Sequence, residues 1–351
     1  VPHTHRTVLA TLAAAALGAA SVTSAGAGTS APDTPTVETG TFRALSYNVA
    51  GLPEPLSGSD SDVNSPLISP LLNGYDLVLL QEDWVDPDPP LAGIDFHHDD
   101  IVSAVTHPYR SVPAPPPLGT DPRRPTALVA DGLNLLSVFP FGEVRRVMWD
   151  GCFGGPDTSD GGAGDCLSQK GFMVTTVSLA PGVEVDVYNL HAEAGATRTD
   201  QDLSAAQFDQ LADYIETNSA GRAVVLGGDT NLHTDDTHPD SWGEDGSIWR
   251  RFLERTGLRD VCDVVRCGDD GHSIDKFAFR SGGGLTLEPR SHRFERDVFV
   301  RPSDGQPLSD HDALRVDFTW SAPHRPATTT ATTATPREPA PAAVVTPRLT
   351  G

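Results

Sequence analysis

Lysine is almost missing from this chain. Of 25 basic residues only Lys170 and Lys276 are lysine, set against 48 acidic residues, and the formal net charge is −23 at pH 7. So negative a protein gains little from attraction to a phosphate backbone, which works against broad, non-specific nucleic-acid binding. Acidic nucleases do exist where metal ions and a few arginines carry the contact; Arg123-Arg124, Arg145-Arg146 and Arg250-Arg251 are pairs of that kind, though each reads more simply as a solvated face. Long apolar runs are missing as well. The stretch from Val8 to Ala20 falls short of the ~20 residues a membrane-spanning helix needs, and no later segment approaches that length. Cysteine is sparse: Cys152, Cys166, Cys262 and Cys267 form an even set whose spacings are not those of paired zinc ligands. Disulfides are the default in an exported chain. Of the three connectivities, the two local ones are expected: Cys152–Cys166 around a Gly/Asp-rich loop and Cys262–Cys267 in a turn after a helix. There is no internal repeat.

The chain ends frame what lies between them. Arg6 with His3 and His5, the short apolar run and the small-residue site Ala25-Gly-Ala27 predict a secretory signal peptide over 1–27, followed by a linker over 28–41. Secretion to the extracellular space follows as an expectation. From Ser321 the sequence turns to Pro, Thr, Ala and Arg with no periodic apolar face, which predicts a disordered tail over 321–351. The interval 42–320 is long enough for one large two-sheet domain with a full core.

Alternating or apolar runs predict strands at 42–48, 76–81, 133–139, 171–179, 183–190, 223–228, 275–279 and 313–320, with weaker ones at 144–149 and 295–300. Helical spacing appears over 65–72, 202–218 and 247–256. Proline-rich Val112-Pro-Ala-Pro-Pro-Pro-Leu and Asp86-Pro-Asp-Pro-Pro read as surface connections.

Polar residues sit where the strand-like runs end. Phe42-Arg-Ala-Leu-Ser-Tyr-Asn48 finishes in an amide and Asp76-Leu-Val-Leu-Leu-Gln-Glu82 in an acid. Val183-Glu-Val-Asp-Val-Tyr-Asn-Leu-His191 ends in an imidazole, and Val-Val-Leu-Gly-Gly-Asp-Thr-Asn (224–231) ends in Asp229 and Asn231, two residues apart and so on one side of a strand. Asp275 opens a short strand, and Leu308-Ser-Asp-His311 precedes the last one with Asp310 and His311. Singly, each has an ordinary reading as a turn former or a structural histidine. Together they supply hard oxygen ligands, proton carriers and a phosphate-orienting amide. The two lysines adjoin these motifs. A compact ammonium at Lys170 suits one phosphate oxygen, whereas alternation turns Lys276 away from Asp275. His233 and His238 with Asp235 and Asp236 read as a surface turn rather than a second metal site, and His97, His98, His107, His272 and His292 are given no role.

The order Asn48, Glu82, His191, Asp229 with Asn231, Asp275, and Asp310 with His311 resembles the endonuclease/exonuclease/phosphatase superfamily, the deoxyribonuclease-I-like hydrolases. The resemblance runs from about Phe42 to Trp320. Its sharpest elements are Gly-Asp-Thr-Asn (228–231) and Ser-Asp-His (309–311). Tyr-Asn-Val-Ala-Gly-Leu-Pro (47–53), Lys-Gly-Phe (170–172) and Asn-Leu-His-Ala-Glu-Ala-Gly (189–195) look most like its sphingomyelinase-type phospholipase C branch. The resemblance implies an α+β, four-layered α/β/β/α sandwich of two packed mixed sheets flanked by helices. It also implies Mg²⁺, with Mn²⁺ as a substitute, and attack of water on a phosphoester. Glu82 and Asn48 are then the expected metal ligands, with Asp310 contributing. Asp229 and His311 are the candidate bases, Asn231 orients water or phosphate, Asp275 holds His311, and His191 stands across the phosphate.

Three functions compete at this point: a phosphodiesterase acting on phospholipid headgroups, a secreted Mg²⁺-dependent nuclease, and a non-catalytic binding relative. The acidity favours the first, with transient contact to a membrane surface and no obligate protein partner. Against it, Phe294 and Phe299 are isolated among charges, so the segment from Asp275 to Asp310 offers no aromatic pair for dipping into a membrane. The third is disfavoured because a binding module has no need of every polar position the chemistry asks for.

Overall fold

The computed structural model describes residues 36–53, 59–88, 94–157, 159, 161–235, 238 and 243–324. The expected signal peptide, most of the 28–41 linker and all but the start of the 321–351 tail lie outside the described residues.

Strands run Val37–Asn48 (β1), Leu77–Gln81 (β2), Tyr109–Arg110 (β3), Asn134–Ser137 (β4), Arg145–Met148 (β5), Gly171–Ala180 (β6), Val183–His191 (β7), Val224–Asp229 (β8), Arg259–Asp260 (β9), Asp275–Arg280 (β10), Thr286–Phe294 (β11) and Leu314–Pro323 (β12). They form two six-stranded sheets, β11-β12-β1-β2-β4-β3 and β5-β6-β7-β8-β10-β9. Each sheet contains one parallel pair, β1 with β2 and β7 with β8, among antiparallel ones. Both are therefore mixed, as expected.

Burial makes the layers. Between the sheets, Phe42, Leu79, Leu135 and Phe318 of the first meet Met173, Val187, Val225 and Phe277 of the second in one core. Helices Arg198–Asn218 and Asp245–Thr256 cover the outer side of the second sheet with Phe208, Leu211, Trp249 and Phe252 against Phe172, Tyr188 and Leu226. Helix Ser61–Leu71 lays Ile68 over Leu45, Tyr47, Val78 and Leu80 of the first sheet. Burial along β1 reads this directly: it alternates in the first half and is continuous from Ala44 to Asn48, where the helix closes the second face. The long helix starts on a capping box, Thr197 with Asp200.

One expected strand is misplaced. Residues 295–300 form turns after β11, and the strand lies upstream over Thr286–Phe294. Pro289 and a register shift between Pro289 and Ser291 break its period, and exposed Glu288, Arg290 and Arg293 mask its buried face in the sequence. Short helices His98–Val102 and Val261–Val265 were also not expected.

The two parallel pairs decide where chemistry is placed. β1 and β2 end side by side with Asn48 opposite Gln81, and β7 and β8 end with His191 opposite Asp229. β10 runs the other way and begins with Asp275 opposite Asp229. All the polar strand ends thus open on one edge of the sandwich.

Candidate active site

At that edge the side chains converge. Asn48 Nδ2 donates to Glu82 Oε1 at 3.0 Å and to Asp229 Oδ2 at 3.1 Å, and lies 3.4 Å from His311 Nε2. Its Oδ1 accepts from the Ala50 N–H, which fixes the amide orientation. His191 Nε2 is 3.3 Å from Asp229 Oδ2 and 4.0 Å from Glu82 Oε1. His311 Nδ1 is 2.8 Å from Asp275 Oδ2, and its Nε2 is 3.7 Å from Asp229 Oδ2. Residues from both sheets, 263 apart in sequence at the widest, therefore share one cluster.

Local backbone presents these groups. Glu82 and Asn231 both take left-handed conformations, with φ of 57° and 48°; asparagine tolerates this region, whereas for Glu82 it is costly and typical of a position over-determined by a site. The Asn231 N–H donates to Asp229 Oδ1 at 3.0 Å while its Nδ2 donates to Ala192 O at 3.0 Å, so this residue braces Asp229 and ties β8 to the end of β7. Ser309 Oγ donates to Asn48 O at 2.7 Å and accepts from the His311 N–H at 3.1 Å, joining the last loop to β1. Thr230 fastens the Asp275 side by donating through N–H and Oγ1 to Ile274 O.

Electrostatics separates the two histidines. Burial holds His191 well below its ordinary value, with the Lys170 charge acting in the same direction, so it is neutral. Its Nδ1 is buried without a hydrogen-bond partner among the described residues, while Nε2 faces Asp229. Burial also opposes charge on His311, but Asp275 and Asp229 outweigh it and hold the ring well above the ordinary value. Burial works to raise Asp229, and the surrounding His311, His191 and Lys170 reverse that to a net lowering. Glu82 is raised by burial, only partly relieved by Asn48 and Lys170, and its side chain is one-fifth exposed (20%) to the cleft.

Two expected residues stand differently from the rest. Lys170 is buried and paired with Asp165, donates to Ala192 O at 3.3 Å, and reaches the cluster through its charge. Asp310 is exposed; its Oδ1 lies 3.3 Å from Ser309 Oγ, and its charge is felt by Glu82 and His311. Lys276 points away from Asp275, as alternation predicts, and donates to Gly271 O and Ser273 O beside the Trp249 ring. His233 stacks on His238 outside the cluster.

Sequence reasoning missed a charged layer behind the site. Asp165, Lys170, Glu193 and the buried Arg124 lie together, and Glu193 is pushed up to about 8 by burial and by Asp165. Glu193 accepts from the Phe153 N–H and from Gln207 Nε2. Its signal was an acid two residues past His191 in an otherwise apolar stretch. A separate hollow of about 470 Å³, lined by Glu143, Arg145, Asp186, Tyr214 and Arg222 on the outer side of the second sheet, shares no residue with the cluster.

A metal can be accommodated in two ways. Ligand atoms of Asp229, Asp275 and His311 all lie within 4.8 Å of one another, but Asp275 and His311 are already spent on each other. Glu82 offers an under-neutralised carboxylate oxygen of the hard kind that Mg²⁺ takes, whereas Asn48 turns its Nδ2 and not its Oδ1 toward that carboxylate.

No family model matches the chain. Sphingomyelinases of Mycobacterium bovis and Mycobacterium tuberculosis are 34% identical to it over 302 residues, 81% of this chain and 54% of theirs. The chain thus spans about half the length of the curated relatives it matches. Among solved structures, an endonuclease/exonuclease/phosphatase from Beutenbergia cavernae superposes with a TM-score of 0.54 at 17% identity, covering 79% of this chain and 71% of that one. A beta toxin from Staphylococcus aureus with bound magnesium ions superposes with a TM-score of 0.51 at 17% identity, covering 79% and 99%.

Proposed function

We propose that this chain, which shares its fold with a solved endonuclease/exonuclease/phosphatase and is 34% identical to sphingomyelinases, is a metal-dependent phosphodiesterase of the sphingomyelinase type, acting on phospholipid headgroups. The observation that carries the reading is the convergence of Asn48, Glu82, His191, Asp229 and the His311–Asp275 pair at one edge of the two sheets. The sphingomyelinase relatives support the substrate class, and the −23 net charge disfavours a nucleic-acid backbone. The two disulfides, Cys152–Cys166 and Cys262–Cys267, suit an oxidising, exported setting.

Glu82 would hold the metal, with Asn48 steadying its carboxylate through Nδ2 and Asp310 at the rim; for Asn48 to be a ligand as well, its amide would have to turn Oδ1 to the same side. Bound there, Mg²⁺ supplies positive charge against the phosphate oxygens and acidifies water. The chain's own residues do the rest. Ionised Asp229 accepts the proton of the attacking water. Asn231 keeps that carboxylate aimed through its backbone N–H. Asp275 fixes the Nδ1–H of His311, so that Nε2–H faces the cleft and serves as a donor to the phosphate or the leaving oxygen. His191, kept uncharged by burial, stands on the other side of Asp229, where its Nε2 would have to turn from that carboxylate to donate to a phosphate oxygen. The Lys170 charge lowers Glu82, His191 and Asp229 together, favouring anionic carboxylates and an uncharged His191; a move of its ammonium from Asp165 to a phosphate oxygen would make it a substrate contact.

The deciding experiment is a substrate panel of sphingomyelin, phosphatidylcholine, plasmid DNA, RNA and inositol phosphates, each with Mg²⁺ and with excess chelator. Release of phosphocholine from sphingomyelin, abolished by chelation, is expected. Preferential cleavage of DNA would move the assignment to a nuclease.

A further inference from the structure

Three large apolar side chains stand exposed in the segment that follows β3 and in the stretch it pairs with. Val112 is 83% exposed, Leu118 42% and Leu128 52%. We infer that the proline-stiffened segment 112–118, together with Leu128, is the surface on which the protein docks onto an electrically neutral phospholipid bilayer. The inference rests on the phospholipid reading of the substrate and adds the place where the lipid surface is met.

Topology puts this segment at the edge where the site opens. β3 pairs antiparallel with β4, Tyr109 with Ser137 and Arg110 with Leu136, and the Ser111 N–H continues to Leu135 O. The chain is thus heading for Asn134, which pairs with Leu80 and donates to the Asp83 carboxylate, next to Glu82. Val112 leaves the sheet at that end, its carbonyl held by Arg146 at 2.8 Å. The segment then returns as a short ladder, Leu118 N–H to Leu128 O and Gly119 N–H to Ala127 O. Leu128 in turn donates to Leu167 O, three residues before Lys170, and Ala130 O accepts from the Trp84 indole, two residues after Glu82. Two such steps along the backbone place Leu128 within roughly 20 Å of Glu82.

Three properties distinguish the rim from ordinary loop surface. Pro113, Pro115, Pro116 and Pro117 restrict the segment before it meets anything, so little ordering entropy is lost on contact. Leu118 is held with φ at 49°, a conformation that suits Gly or Asn, so the chain bears both backbone strain and apolar exposure at a single position. The patch also carries no uncommitted charge. Arg110 donates to Val105 O and His107 O, Arg123 pairs with Asp121, and the buried Arg124 donates to Ser168 O, Trp149 O and Gly151 O. With a chain charge of −23, an anionic surface would repel the protein, which leaves a zwitterionic one. The rival site is closed: Phe294 and Phe299, near the end of β11, are buried at 6% and 4% exposure.

The test compares wild type with Val112→Asp/Leu118→Asp/Leu128→Asp and with the milder Leu128→Ser. Binding is read by co-sedimentation with phosphatidylcholine/sphingomyelin vesicles and with phosphatidylserine vesicles, and hydrolysis on the same neutral vesicles and on a water-soluble phosphocholine ester. Wild type should bind neutral vesicles in preference to anionic ones. The triple variant should bind them about 10²-fold more weakly and Leu128→Ser severalfold more weakly, on the usual scale for exposing a leucine side chain. Vesicle hydrolysis should fall in parallel, while the soluble ester is cleaved at the wild-type rate, which also certifies the fold. Wild type that ignores neutral vesicles, prefers anionic ones, or binds no better than a folded Leu128→Ser would overturn the inference. Wild type that binds neutral vesicles through these residues yet cleaves no phospholipid would instead remove the substrate reading and leave the docking surface standing.

Discussion

Asp275 Oδ2 lies 2.8 Å from Nδ1 of His311, and the two reach each other from separate sheets, Asp275 from the start of β10 and His311 from the loop before β12. The contact orients the ring and, with Asp229, overcomes the cost of burying its charge. Asp275 Oδ1 is buried with no hydrogen-bond partner among the described residues, so the ring of His311 is the one hydrogen-bond partner seen for this carboxylate there.

His311→Ala and Asp275→Asn should each reduce kcat by at least ~10², the usual scale for an acid–base group. The double variant should be little worse than the poorer single one, since residues acting as a unit are non-additive. His233→Ala, outside the cluster, should keep nearly the full rate. Steady-state kinetics on the phosphodiester chosen by the panel, with folding checked by thermal melt, gives the answer; losses that simply multiply would break the pairing.

Much of this site was legible because strand periodicity and chemistry coincide. Asn48, Glu82, His191 and Asp229 each stand at or just past the end of an alternating or apolar run and Asp275 opens one, and the limit of a run is where a sheet opens to solvent. The direction of Lys276 followed from alternation alone, and the two local disulfides from the even cysteine count. What was hidden is tertiary. Nothing local announces that the Asp165–Lys170 pair will share a buried layer with Glu193 and Arg124. β11 was hidden for a different reason: Pro289 and its bulge interrupt the period that would have revealed it.

Glu82→Gln should raise the divalent-metal requirement sharply and lower kcat, because it removes the anionic oxygen while preserving the hydrogen bond with Asn48 in shape. Chelation should abolish hydrolysis, and Mg²⁺ or Mn²⁺ should restore it. Isothermal titration with Mg²⁺ provides a readout separate from turnover. Unchanged binding in Glu82→Gln would point to the Asp229, Asp275 and His311 group instead.

The two disulfides should differ in worth. Cys152–Cys166 closes a separation of 14 residues and Cys262–Cys267 one of 5, so chain entropy assigns about 3 and about 2 kcal/mol to them respectively. Non-reducing digestion should release fragments linked 152/166 and 262/267. Serine pairs at each bridge, compared by urea unfolding, should rank in the same order.

His292 sets an acid-side limit. Burial lowers it to about 4, so between the ordinary value near 6.5 and about 4 the unfolded chain binds a proton that the folded one refuses. Stability from this group is complete above that window and falls as the pH drops through it. His292→Leu, which keeps an apolar side chain beside Phe294, should flatten the stability profile between those two values. A profile unchanged from wild type would mean that the ring is hydrated in solution.

The closeness of His191 and Asp229 depends on a missing side chain at Gly228. This residue has φ of 149°, and a Cβ added there would lie 2.2 Å from Leu190 O and 2.8 Å from Leu190 N. Leu190 is its partner in the β7–β8 register, one step before His191 meets Asp229, so any relief must part the two strands where the site is built. Gly228→Ala should therefore cost about 2–4 kcal/mol, in the range of severe backbone and overpacking substitutions. Gly257→Ala is the control. Gly257 is also left-handed, with φ of 66°, but its Cβ would meet nothing within 4 Å, so it should cost only about 1 kcal/mol of conformational strain. Urea midpoints separate the steric cost from the conformational one, and kcat below the transition region separates both from the site. Gly228→Ala should lose activity while still folded, whereas Gly257→Ala should not. Equal midpoints for the two variants would show that β7 and β8 do not approach this closely.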